Sequence, residues 1–230
     1  MGDKNIAQSI KKGVGWATPI MLGYVPIGMA YGLLARQSGV GVWESLGLSV
    51  FVYAGAAQFI AVSMLSGGIG SAIIIGAVFI VNFRHVLMSS SLSPMLGSWS
   101  KLSRVSLGCL LTDESYVLHA VHFGDGDMDA AAAITLNVTA YLSWSAAGFA
   151  GFVLGNVIEN PEAWGLDFAL SAMFIGLLIP VCRNRPSVTA ALCGGGASLA
   201  IHMAGAGSWA AFGGALAGAT AGVCLGGEKV

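Results

Sequence analysis

Two groups of ionisable side chains lie inside long apolar stretches of the sequence. Arg84 and His85 follow Asn82 with only Phe83 between, and Asp113 is followed by Glu114. A guanidinium group can bind a carboxylate, and a buried carboxylate can bind a cation or a proton. Charges inside a membrane segment are costly, so they pair with one another or line the path of a solute. Both interpretations stay open: an ion pair from Arg84 to Asp113 or Glu114, or a transport pathway.

Two other stretches are predicted to interrupt helices at the same depth. In Gly23–Gly32, Pro26 lacks a backbone donor and the surrounding glycines loosen the helix. In Tyr53–Phe59, Gly55 and an amide side chain lie near the middle of an apolar segment. Interrupted helices expose backbone N–H and C=O groups, which transporters use to hold polar substrates. We predict two breaks that meet near the bilayer midplane, with simple kinks as the alternative.

The composition indicates the medium in which these elements fold. Only 9% of the 230 residues are charged, 56% are hydrophobic and the mean hydropathy is +0.79. Soluble domains carry roughly 25% charged residues, so this chain has too little polar surface for water. Its net charge of −1 provides no basic face for nucleic acid. The composition predicts an integral membrane protein.

The apolar runs are continuous and lack the two-residue alternation of membrane β-strands, so they predict helices of about 20 residues. The fold class is therefore all-α: a polytopic bundle of about seven or eight transmembrane helices. No linker is long enough to divide residues 1–230, so we expect one domain. The predicted spans are 14–35, 43–65, 70–92, 104–123, 130–154, 165–182, 187–204 and 208–225.

The distribution of basic residues predicts that the N-terminus is cytoplasmic. With eight spans, this orientation places more lysines and arginines in the cytoplasm than outside. The last two spans, 187–204 and 208–225, are short and rich in glycine. Because small residues let helix backbones approach closely in lipid, we expect these two spans to pack tightly, with contact to another subunit as the alternative.

Catalysis and metal binding find little support in the sequence. Ser115 and His119 are spaced like a nucleophile and its base, but no oxyanion motif accompanies them. His119 and His122 share a helical stripe without further metal ligands, so we expect them to lie at helix interfaces. We predict no enzyme activity, no cofactor and no metal, and we expect Asn137 to form interhelical hydrogen bonds.

Four motifs in order give the chain a family resemblance. They are Gly23–Gly32, Ala54–Phe59, Asn82–His85 and Thr112–Glu114. Their succession resembles the AzlC family, the large subunits of branched-chain amino-acid exporters in bacterial inner membranes. The resemblance covers most of the chain and is strongest over residues 14–123.

The resemblance implies a multi-pass inner-membrane exporter of valine, leucine and isoleucine, with methionine as a further candidate substrate. It also implies energy from the proton gradient and a small, separately encoded membrane partner of the AzlD type. A channel or a carrier for another small solute or ion is the alternative. Channels favour repeated polar rings along a pore, which these spans lack.

An amino acid needs an anion site, a cation site and an apolar pocket. On the positions that match the family motifs, Arg84 or a freed helix N-terminus is the candidate for the carboxylate. Asp113 or Glu114 is the candidate for the ammonium group or the coupling proton. The predicted substrate-binding residues are Arg84, Asn82, Gln58, Tyr24, Pro26, Gly55, Tyr53 and Phe59. The predicted proton-coupling residues are Asp113, Glu114 and His85.

Overall fold

The computed structural model describes residues 2–155, 175, 178–179, 182, 184–205 and 207–226. Regular secondary structure in these residues is helical throughout, which confirms the all-α prediction. The chain divides into two compact units, Met1–Leu170 and Ser171–Val230. The predicted sixth span, 165–182, lies outside the described residues apart from a few isolated positions.

The described part of the first unit combines two continuous helices with three interrupted ones. The continuous helices are α1 (Gly2–Gln37) and α8 (Ala130–Leu154). The first interrupted helix consists of α2 (Val42–Gly47), a π-helical turn (Leu48–Val52) and α3 (Gly55–Ser66). The second consists of α4 (Ser71–Asn82), α5 (Arg84–Leu92) and a 3₁₀ turn (Ser93–Leu96). The third consists of α6 (Lys101–Cys109) and α7 (Asp113–Gly124). These elements coincide with the first five predicted spans.

The predicted break at Pro26 is wrong. Helix α1 continues through Pro26, whose side chain is exposed on the surface of the unit. A proline removes one backbone hydrogen bond, but membrane helices tolerate it where packing holds the helix. The neighbouring glycines Gly28 and Gly32 do not loosen α1. They are buried against α8 instead.

Helices α1 and α8 run parallel in backbone contact along most of their length. Gly13 lies beside Ala132, and Gly32 lies beside Gly148. A Cβ atom added to Gly32 or to Gly151 would collide with backbone atoms of the facing helix. Close contact between backbones is how helices associate in lipid, where the hydrophobic effect between them is absent. The α1–α8 pair is therefore the frame of this unit.

Polar contacts join the N-terminal part of α1 to the start of α8. Lys12 Nζ lies 2.6 Å from a carboxylate oxygen of Asp127, and Ser9 Oγ donates to Asp129 Oδ2 at 2.8 Å. Asp129 also caps α8 by accepting from Ala132 N–H. Burial opposes the charge on Asp129, but these hydrogen bonds and Lys12 outweigh it and lower its pKa. The N-terminus of α1 and the α7–α8 loop consequently lie on one side.

Within the residues that the structure describes, two helical stretches are long and apolar enough to cross a membrane: Ile6–Gln37 and Ser71–Leu96. Within its most apolar window the second stretch is only 6% buried inside the structure. Its large side chains, such as Ile75, Phe79 and Ile80, point away from the unit. This surface is suited to lipid or to another membrane protein.

The second unit contains α9 (Arg185–Met203) and α10 (Gly207–Gly226) as an antiparallel pair. Gly194 faces Gly214 and Gly218, with Gly218 also beside Ala190 O. A side chain at Gly214 or Gly218 would collide with the facing backbone. The prediction that the last two spans pack tightly through small residues is confirmed.

Gly32→Leu should destabilise the first unit, because its side chain would force α1 away from α8. Overpacking of this kind costs about 1–3 kcal/mol. Gly15→Leu is the matched control, since nothing lies within 4 Å of a Cβ atom at Gly15. We expect a lower thermal midpoint and less folded protein in detergent for Gly32→Leu alone. Equal behaviour of the two variants would contradict the close α1–α8 contact.

Candidate functional site

The interruption between α2 and α3 centres on Tyr53. Its backbone adopts the left-handed conformation, with φ 42° and ψ 50°, and Ala54 is extended. A bulky side chain rarely adopts this conformation, which costs roughly 1–3 kcal/mol. Helix α3 then begins at Gly55 without a side-chain cap. The predicted break in this span is therefore present, but it precedes Gly55 rather than running through Gly55–Gln58.

The interruption between α6 and α7 is built around Thr112. Its hydroxyl accepts a hydrogen bond from the Ser115 N–H, and the Ser115 hydroxyl accepts one from the Thr112 N–H at 2.9 Å. This reciprocal capping box starts a new helix inside a predicted span. Asp113 and Glu114 occupy the first turn of α7, where the helix dipole favours negative charge.

Arg84 and Asp113 connect the third and fourth spans. Arg84 begins α5 directly after the interruption at Phe83, and its Nη1 lies 2.7 Å from Asp113 Oδ2. The ion pair, one of the two interpretations that the sequence left open, is therefore present, with Asp113 as the partner. The two side chains are 31% and 27% exposed, so the ion pair is only partly covered by the protein.

Glu114 lies on the other side of this turn, toward α1. Tyr24 is buried on α1, and its hydroxyl oxygen lies 2.7 Å from Glu114 Oε2 and 2.8 Å from Thr112 Oγ1. Among the described residues, Glu114 forms no ion pair. A carboxylate with hydroxyl partners and no counter-charge is suited to bind a cation or a proton.

Several buried polar atoms of the predicted site have no partner within the described part of the chain. They are Tyr53 Oη, Asn82 Oδ1 and Arg84 Nε. Native proteins satisfy nearly all buried polar groups, so unpartnered donors and acceptors around one ion pair indicate a place for water or a polar ligand.

Three other predicted residues have packing contacts. Gln58 is fully buried, with its amide N–H donating to Ser49 Oγ at 3.0 Å and its oxygen accepting from Trp144 Nε1 at 2.9 Å. Gly55 leaves room for the Trp144 ring, and Phe59 packs edge-on against Tyr31. These contacts support the wall of the site. Substrate contact by Gln58, Gly55 and Phe59 stays a prediction.

Pro26 differs from its neighbour Tyr24. The Tyr24 side chain points into the unit and bonds to α7, whereas that of Pro26 is exposed. The physical basis for placing Pro26 in the site was a break in α1, and that break is absent from the described helix.

An open groove lies along α5, beginning at His85, the residue after Arg84. It has a volume of about 710 Å³ and is lined by His85, Val86, Ser89, Ser90, Ser93 and Pro94. A second cavity of about 220 Å³ shares Ser89 and Ser93 and extends to Arg104 on α6. Four-residue spacing places His85, Ser89 and Ser93 on one stripe of this segment. Hydroxyl groups thus follow the groove away from Arg84.

Asn137 on α8 is hydrogen-bonded to both parts of the interrupted fourth span, α6 and α7. Its amide donates to Leu107 O at 3.1 Å, and its oxygen lies 2.8 Å from His119 Nε2. The expectation of interhelical hydrogen bonds by Asn137 is confirmed. His119 is fully buried at this α7–α8 interface, while the Ser115 hydroxyl is engaged in the capping box.

Sequence reasoning missed Thr112 and Ser115 as the residues that position the acidic pair. The signal was present, because a threonine followed by two acidic residues and a serine is typical of a helix start. The continuous apolar run around it concealed this start. The same run concealed the interruption at Phe83, which carries no proline or glycine.

Comparison with known proteins supports the resemblance seen in the motifs. A family model described as AzlC protein matches residues 19–158. An uncharacterized membrane protein of Archaeoglobus fulgidus is 30% identical over 196 residues, which is 84% of each chain. The inner membrane protein YgaZ of Escherichia coli is 31% identical over 186 residues, covering 76% of this chain and 75% of the relative.

A relative with a functional name is the branched-chain amino acid transport protein AzlC of Bacillus subtilis. It is 26% identical over 188 residues, covering 80% of this chain and 72% of the relative. No solved structure matches the chain significantly. The family match includes Tyr24, Arg84, Asp113 and Glu114, and it spans more than half of the sequence. The chain is an all-α membrane protein that belongs to the AzlC family.

Proposed function

We propose that this chain exports branched-chain amino acids across the bacterial inner membrane in exchange for protons. The observation that carries the proposal is the partly exposed Arg84–Asp113 pair, with the cation-free Glu114 beside it at the start of α7. The name of the Bacillus subtilis relative supports the substrate class. Valine, leucine and isoleucine are the proposed substrates, with methionine as a further one.

Arg84 is the proposed site for the substrate carboxylate. Its guanidinium can form two parallel hydrogen bonds with a carboxylate, and Asp113 occupies only Nη1 in this structure. The unpartnered Arg84 Nε and Asn82 Oδ1 supply a further donor and acceptor at the same point. A bound substrate would therefore share Arg84 with Asp113 or displace it.

Carboxylates on α7 are the proposed site for the substrate ammonium group. Asp113 and Glu114 are adjacent, and either can attract a cation in a medium of low dielectric constant. The rings of Tyr24 and Tyr53 provide apolar surface next to these charges. Gln58 and Phe59 support that surface through their packing. His85 lines the groove and remains a candidate for proton transfer.

The proposed membrane arrangement is a single multi-pass domain with a cytoplasmic N-terminus and a small AzlD-type partner. The contact from Lys12 to Asp127 supports the multi-pass arrangement, because it requires an even number of crossings between these two residues, and α1 with the three interrupted segments makes four. The outward apolar surface of Ser71–Leu96 offers room for a partner in the bilayer. Periplasmic labelling of a Ser9→Cys variant would contradict the orientation.

Valine-loaded proteoliposomes should release valine faster when a pH gradient makes the receiving side acidic. We would reconstitute the chain alone and together with an AzlD-type subunit, with glutamate as the control solute because its second carboxylate would meet Asp113 and Glu114. Pronounced gradient-dependent valine efflux with little glutamate efflux is the expected result. Passive flux of both solutes, independent of the gradient, would favour a channel and contradict the proposal.

The groove along α5 is the proposed route between the site and one membrane surface. Ser89→Cys, in a background lacking the four native cysteines, should react with a water-soluble thiol reagent, because water fills a polar route. Leu87→Cys is the matched control, since Leu87 is exposed but apolar and lies outside the residues that line the groove. Valine should slow the reaction at Ser89→Cys. Equal reaction of both variants would remove the evidence for a water-filled route.

A further inference from the structure

The Tyr24 hydroxyl lies between two oxygen atoms that can both accept hydrogen bonds. It is 2.8 Å from Thr112 Oγ1 and 2.7 Å from Glu114 Oε2. A phenol has a single O–H hydrogen, so it donates to one of these atoms at a time. At the other short contact, Tyr24 Oη must therefore accept a hydrogen bond.

Two donor arrangements satisfy these contacts without any movement of the heavy atoms. When Glu114 is ionised, Tyr24 donates to its carboxylate and the Thr112 hydroxyl donates to Tyr24. When Glu114 carries a proton, its O–H donates to Tyr24, and Tyr24 donates to Thr112. The Thr112 hydroxyl then points toward Ser115 Oγ, 3.4 Å away.

These arrangements make the hydroxyl groups of Tyr24 and Thr112 a chain that reverses direction when Glu114 gains a proton. In both directions the capping box of α7 keeps its backbone hydrogen bonds. A proton can therefore arrive and leave with little change in packing, which is what a repeating transport cycle requires.

The surroundings of Glu114 differ from those of Asp113. The titratable and charged groups near Glu114 are Tyr24 on α1, Tyr53 in the α2–α3 interruption, Asp113 on its own helix and His85 on α5. Arg84 is engaged with Asp113. Protonating Asp113 would break an ion pair, whereas protonating Glu114 breaks none among the described residues.

We propose that Glu114 is the carboxylate that binds the transported proton, with Tyr24 and Thr112 as the hydroxyl chain that accommodates both of its states. The use of this proton in transport rests on the proposed exporter function. Ionised Glu114 would attract the substrate ammonium group, and proton binding would neutralise the carboxylate and release the substrate. One proton thus replaces one substrate cation at the same oxygen atoms, and no covalent bond other than O–H forms or breaks.

Infrared titration of the purified chain tests this assignment without any substrate. A protonated buried carboxyl group has its own C=O stretching band, which disappears as the pH rises. We expect this titrating band to be lost in Glu114→Gln and retained in Asp113→Asn, with Glu114→Asp as a second variant that keeps a carboxyl group. Loss of the band in Asp113→Asn and its persistence in Glu114→Gln would overturn the proposal.

Tyr24→Phe tests the hydroxyl chain itself. The ionised carboxylate would lose its donor, so the midpoint of the Glu114 band should move to higher pH while the fold is retained. An unchanged midpoint would overturn the role of Tyr24.

The transport assay separates this inference from the proposed function. In exchange assays with valine on both sides, Glu114→Gln should lose the pH dependence of the wild-type rate, while Asp113→Asn should keep it. The expected infrared pattern without any valine transport would contradict the exporter proposal and leave the proton site in place. Valine transport with a pH dependence unchanged in Glu114→Gln would overturn the proton assignment alone.

Discussion

Backbone N–H and C=O groups that lose their helical hydrogen bonds inside an apolar medium need new partners from the protein. This requirement governs the first unit of the structure. Three of its helices are interrupted, and each interruption frees N–H or C=O groups where lipid offers no partner. Thr112 and Ser115 satisfy the start of α7, and Asn137 satisfies Leu107 O near the end of α6. These replacements work because α1 and α8 hold the surrounding elements in place. The contact between their backbones in turn depends on glycine at positions such as Gly32 and Gly151.

The same interruptions bring charge into the interior at a defined place. Starting α7 at Thr112 puts two carboxylates into a first helical turn, and starting α5 at Arg84 puts a guanidinium opposite them. Asp113 is held by Arg84, whereas Glu114 is held by a hydroxyl group from α1. Two adjacent carboxylates therefore have different environments, which allows them to serve different purposes. A continuous helix at this place would not put free backbone groups in the interior beside these two carboxylates.

Much of this arrangement could be predicted from the sequence. Apolar length located the described spans, and the cost of burying isolated charges gave an ion pair from Arg84 to Asp113 or Glu114 as one of two interpretations. The glycines of the last two spans predicted their packing. Each of these predictions rests on a local property (apolar length, charge or residue size) whose effect the neighbouring segments do not change.

The errors arose where the environment decides the outcome. Pro26 weakens an isolated helix, but the packing of α1 along α8 keeps the helix continuous. The glycines near it contact α8, which a single sequence does not reveal because the partner helix is more than 100 residues away. Gln58 is polar in an apolar segment, and its partners Ser49 and Trp144 became evident only with the tertiary structure. By contrast, the start of α7 at Thr112 could have been predicted from local capping rules alone.

The central claim is that Arg84 binds the carboxylate of an amino acid at the interruptions of these helices. The most direct measurement is the thermal stabilisation of the purified protein by L-valine and by valinamide, which keeps the ammonium group and side chain but lacks the carboxylate. The account predicts stabilisation by L-valine alone, and loss of that effect in Arg84→Lys, because an ammonium group cannot form the paired contacts of a guanidinium. The exposed Arg104→Lys is the matched control and should behave like the unaltered chain. Equal stabilisation by valine and valinamide, or full stabilisation of Arg84→Lys by valine, would contradict the account.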